Sequence, residues 1–96
     1  MTKLPKKITD RFDHLRTLKD GWHEVDSLAP VQKAFEQIEK VVKTLIKLGV
    51  NFKEGEYGIF PTIEGGLVLE FHEPSISFEY DPEEDYLDIY VGDNDD

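Results

Sequence analysis

The chain has no cysteine among its 96 residues. That absence excludes a disulfide framework, a thiolate metal centre and thiol catalysis. Long apolar runs are missing too. The basic start, Met1-Thr2-Lys3-Leu4-Pro5-Lys6-Lys7, leads into an amphipathic pattern with charges throughout, so neither a signal peptide nor a membrane span is legible. A cytoplasmic protein without membrane association is the expectation. Phosphate-cradling loops are also lacking: glycines adjoin only at Gly65-Gly66, and no G-x-G-x-x-G, Walker or G-x-S-x-G sequence occurs. We expect no cofactor and no catalytic residue.

Positive charge is scarce in one half only. Residues 51–96 hold a single basic residue, Lys53, against fourteen Asp and Glu, while residues 1–50 hold ten Lys and Arg against seven. The net charge of −10 therefore sits almost wholly in the second half. Segregated like charge costs compact stability through self-repulsion. A solvated acidic surface is the plain explanation, and a surface that meets a basic partner is the functional one.

Enough apolar material is present for a two-layer core: 39% hydrophobic residues, with six Phe, four Tyr and one Trp. Disorder is excluded as a global state. The length predicts one domain over 1–96, with a helical half at 5–49, a β half at 57–91 and a frayed acidic tail at 92–96.

Ile8, Phe12, Leu15 and Leu18 recur at helical spacing, predicting a first helix from Pro5 to Lys19 with Gly21 as its cap. Trp22 lies in the connector that follows and is expected to fold back over the helix junction. A second helix is predicted from Pro30 to Leu48. Val31, Ala34, Phe35, Ile38, Val41, Val42, Leu45 and Ile46 form its apolar face, and Gly49 stops it. Glu36 with Lys40 and Glu39 with Lys43 are spaced for ion pairs along it.

Beyond Gly49 the period falls to two. Tyr57 to Ile63 reads as an edge strand because of Pro61. Glu64-Gly65-Gly66 reads as a hairpin turn in which both glycines supply positive φ. Leu67, Leu69 and Phe71 alternate with Val68, Glu70 and His72 until Glu73-Pro74 breaks the run. Ile76, Phe78 and Tyr80 alternate next, then Leu87, Ile89 and Val91 after the turn Asp81-Pro82-Glu83-Glu84-Asp85. The fold class expected is α+β: a two-layer sandwich with two N-terminal helices on an antiparallel meander of three to four strands.

No chemical motif survives inspection. His14, His23 and His72 lack metal-ligand spacing and read as solvated or core-edge histidines. A calcium loop counted from Asp81 would need Gly and Glu where Tyr86 and Gly92 stand. The carboxylates of the β half have no lysine but Lys53 to complete a nuclease centre. Phosphate would be repelled by that half, so direct nucleic-acid binding is not expected. No metal site is expected either.

The same acidity suits a basic protein. If the alternation holds, Glu70, Glu79, Asp88, Tyr86 and Tyr90 share the solvent face, joined by the turn residues Asp81, Glu83, Glu84 and Asp85. Tyrosine supplies area for burial and carboxylates supply steering. Tyr86 and Tyr90 would equally serve as cross-strand pairs on an exposed sheet. The expected function is a small non-catalytic protein that binds and neutralises a basic, nucleic-acid-handling partner. The alternative is an assembly module that self-associates through a sheet edge, as a homodimer for instance.

Two boxes add a resemblance. Leu15-x-x-Leu18-Lys19-Asp20-Gly21-Trp22, and then Pro61-Thr62-x-x-Gly65-Gly66-x-x-Leu69-Glu70-Phe71, look like a loose family of small bacterial and phage proteins. Its members carry a GWDG box near the first helix and a PT-x-x-GG-x-x-LEW box in the sheet. Here His23-Glu24 follows Gly21-Trp22 in place of Asp-Gly, and Phe71 stands where Trp is common. The resemblance implies a mobile-element setting, in which small proteins often inhibit larger ones, and it supplies no catalytic residues.

Overall fold

The computed structural model describes residues 3–52, 57–72 and 75–92. Two helices, α1 (Lys6–Arg16) and α2 (Gln32–Lys47), precede four strands: β1 (Tyr57–Pro61), β2 (Leu67–His72), β3 (Ser75–Asp81) and β4 (Tyr86–Val91). The strands form one antiparallel sheet in the order β1-β2-β3-β4. α2 lies over β2 and β3, and α1 lies against β1. This is the expected two-layer α+β meander.

The register assigns the faces. Ile59, Leu69, Phe78 and Ile89 stand in one row across the sheet; Pro61, Leu67, Tyr80 and Leu87 stand in the next. Both rows face the helices, where Ile8, Phe12, Leu15, Phe35, Ile38 and Val42 close the core with Ile59, Leu67, Leu69 and Tyr80. Phe12 and Phe35 meet edge-to-face at 5.5 Å between centroids, joining the two helices through an aromatic contact.

Helix ends follow local chemistry. α1 stops at Arg16, short of the expected Lys19, because Thr17 turns both its amide and its hydroxyl onto the His14 carbonyl. Gly21 is accordingly no helix cap. With φ +86° it bends the connector, and its amide bonds Ser27 O at 2.7 Å. Trp22 stays outside the main core and donates its indole N–H to Leu28 O at 2.8 Å, fastening the connector to itself. α2 begins at Gln32, two residues after Pro30. It ends at Gly49 as expected: Gly49 N bonds Ile46 O and Val50 N bonds Leu45 O, the paired closure that a left-handed glycine permits. Glu39 and Lys43 pair at 2.8 Å, whereas Glu36 accepts from Gln32 at 3.4 Å.

The β1–β2 turn corrects one expectation. Only Gly65 has positive φ, at +92°. Gly66 is needed for another reason: a Cβ there would collide with the backbone carbonyl of Tyr80 on β3. The turn is also tied to the connector, through Leu28 N to Ile63 O and Val31 N to Gly65 O. Glu73-Pro74, Lys53 and the tail 93–96 lie outside the described residues.

Candidate functional site on the open face of the sheet

Among the described residues nothing forms a second layer on the face turned away from the helices. Across it run the rows Gly58, Glu70, Ser77, Tyr90 and Phe60, Val68, Glu79, Asp88, with Asp81 opposite Tyr86. None of the side chains in these rows is fully buried. Lys and Arg are absent from all four strands, so the carboxylates of Glu70, Glu79, Asp81 and Asp88 have no cation beside them in the sheet. Among the described residues none of the four forms an ion pair.

Glu79 feels both its burial and its anionic neighbours. Partial burial and then the charges of Glu64, Asp81 and Asp88 push its carboxyl above the usual range. Asp88 acts on its neighbours in turn. It accepts the Tyr90 hydroxyl at 3.1 Å, and both Tyr90 and Tyr86 are pushed upward, Tyr90 first by that hydrogen bond and Tyr86 first by the Asp88 charge. The result is a half-exposed tyrosine pair, Tyr86 and Tyr90, set among anions.

The β3–β4 turn is divided between structure and surface. Asp81 accepts the Glu83 amide at 2.9 Å and so shapes the turn. Glu83 and Glu84 are exposed. Asp85 differs from the other acidic residues of the set. At φ +58° it turns to the helix side, pairs with Lys33 of α2 at 2.8 Å and accepts the Tyr80 hydroxyl. Lys33 and Tyr80, in that order, hold its carboxyl below the usual range. Asp85 is a tether between turn and helix, its charge already paired with Lys33.

Sequence reasoning missed three participants. Glu64 reaches Glu79 only electrostatically, from the β1–β2 turn. Phe60 and Val68 supply apolar area in the same row as Glu79. Their alternation with Ile59 and Leu69 was the available signal. Arg11 of α1 wraps the opposite edge, donating to Ile59 O at 2.8 Å and lying 5.9 Å from the Phe60 ring. Positive charge thus meets the sheet at β1, far across the ladder from Asp88.

Among the described residues no group of three or more His, Asp or Glu is arranged to hold a metal ion, and no helix is long and apolar enough to cross a membrane. Comparison with protein-family models, with curated proteins and with solved structures gives no match.

Proposed function

We propose that the chain is a non-catalytic interaction protein that binds and inhibits a basic, nucleic-acid-handling protein through the open face of its sheet. One observation carries this reading: Glu70, Glu79, Asp81 and Asp88 share a face with Tyr86 and Tyr90 and have no ion-pair partner among the described residues. Exposed carboxylates steer a cationic partner and exclude an anionic one, while the tyrosines and Phe60 supply area to bury. The arrangement imitates the phosphate charge that a nucleic-acid enzyme's basic groove accepts. The resemblance to small bacterial and phage proteins suits the same role and a cytoplasmic setting.

The test is affinity capture from a cell extract, followed by titration of the captured protein at several salt concentrations. The triple variant Glu70→Lys/Glu79→Lys/Asp88→Lys is expected to weaken binding at least 100-fold and to flatten its salt dependence. Double-stranded DNA is expected to compete with the wild-type chain for the captured protein. Capture that survives the charge reversal, with an unchanged salt slope, would remove the open face as the binding surface.

A further inference from the structure

The two edges of the sheet are built differently. Just past β1 the Thr62 amide bonds Gly66 O, so the backbone groups of even-numbered residues face β2 and those of odd-numbered residues face outward. That outer edge is guarded. Arg11 takes the Ile59 carbonyl, and Pro61 has no amide to offer.

Just past β4 the Gly92 amide bonds Ser75 O at 2.6 Å, which sets the backbone groups of the even-numbered residues toward β3. The amides and carbonyls of Leu87, Ile89 and Val91 therefore point off the sheet, and no described residue takes them. β4 has no proline and no lysine. Its side chains on the helix side are left partly uncovered, with Ile89 59% and Val91 74% exposed. Beside Leu87 a shallow groove of ≈200 Å³ runs along Gln37, Lys40, Val41, Thr44 and Leu45 of α2, and the Lys40 charge disfavours a basic side chain there. On the other side of the same edge stand Asp88, Tyr86 and Tyr90.

We propose that β4 is the site at which an extended segment of the basic partner adds as a fifth strand, its residues alternating between basic and apolar. Basic side chains would lie over Asp88 on the open face, and apolar ones would cover Ile89, Val91 and the groove beside Leu87. Main-chain bonds to Leu87, Ile89 and Val91 would give affinity, and the alternation would give specificity. Charge chooses this occupant over a second copy. Each chain carries −10, and a β4-to-β4 pair would join two acidic faces into one. The inference rests on the proposed function and narrows it to one edge and one kind of segment.

Two synthetic heptapeptides of identical composition decide it: capped Lys-Val-Lys-Val-Lys-Val-Lys and the block isomer Lys-Lys-Lys-Lys-Val-Val-Val. Binding to the intact chain is measured by titration, and amide exchange is followed by NMR. The alternating peptide is expected to bind at least 10-fold more tightly. It is also expected to slow exchange at Leu87, Ile89 and Val91, and to lose both effects when fully N-methylated. Ile89→Pro, which removes an outward amide and no inward one, is expected to abolish the preference with the fold retained by circular dichroism, whereas Ile89→Ala, which trims the same side chain but keeps the amide, is expected to retain it.

Equal binding of the two isomers, weakened alike by salt and by Glu79→Lys/Asp88→Lys, would overturn strand addition and leave the acidic face standing. Binding of neither peptide would overturn strand addition also, with the capture experiment deciding the face separately. A free chain that sediments as a dimer with those three amides already protected would assign the edge to a second copy, overturning the proposal.

Discussion

Glu79 stands directly opposite Asp88 across the β3–β4 ladder, a like-charged pair that ordinary sheet design avoids. Its raised carboxyl fixes the sign of the pH effect. A carboxyl titrating higher in the folded state favours folding while protonated, and that benefit is lost as pH rises through the folded value. At neutral pH the ionised side chain is therefore a cost. Replacing it by its neutral isostere, Glu79→Gln, is expected to stabilise the chain by about 0.5 kcal/mol at pH 7, or roughly 2–4 °C in Tm. The gain should vanish near pH 3, below the ordinary carboxyl value of about 4.3. Thermal melts at both pH values check this, and a destabilised variant at pH 7 would mean that Glu79 has a favourable partner. At this scale the sequence was partly legible. Alternation placed Glu70, Glu79, Asp88, Tyr86 and Tyr90 on one face, because a two-residue period is a property of neighbouring positions. Asp85 belonged to the same acidic run, yet Lys33 claims it from another element. No local pattern carries that pairing.

Turns show which features a neighbouring sequence can specify. Gly49 closes α2 by its own left-handed backbone, at φ +101°, and nothing lies within 4 Å of where its Cβ would be. Gly66 is held instead by the approach of Tyr80 O from β3, a contact set by tertiary packing. The two glycines should respond differently to the same change. Gly49→Ala is expected to cost about 1–2 kcal/mol, the penalty of a left-handed backbone for a residue with a side chain. Gly66→Ala must move a strand or the turn that is tied to the connector, and is expected to cost about 3 kcal/mol or more. Urea unfolding of both variants measures the difference, and a Gly66→Ala no worse than Gly49→Ala would refute the close-approach account. The same division explains α1. Its buried stripe of Ile8, Phe12 and Leu15 was written in the spacing, but its end falls where the amide and the hydroxyl of Thr17 both turn onto His14 O. Glycine at position 21 looked like a stop and serves a loop instead.

Across the whole molecule, charge works against folding and, on the proposed function, for association, and salt separates the two. With 21 acidic residues against 11 basic ones, the compact state concentrates repulsion that the unfolded chain dilutes. Raising NaCl from about 10 mM to about 0.1 M shortens the screening length from about 30 Å to about 10 Å. Tm is therefore expected to rise with salt, by a few degrees if the relief is about 0.5–1 kcal/mol. Binding of a basic protein or peptide is expected to weaken over the same range, because its attraction is screened by the same ions. The double variant Glu79→Lys/Asp88→Lys should flatten both responses together, since it removes one cause common to both. Calorimetric melts and titrations across the salt series make the comparison. The helical half supplies the opposing influence: Lys6–Asp10, Arg16–Asp13, Lys43–Glu39 and Lys33–Asp85 are surface pairs that salt would weaken. A Tm that stays level or falls with salt would show those pairs outweighing the sheet's repulsion, and the open face would then lack the unbalanced field on which the proposed partner capture depends.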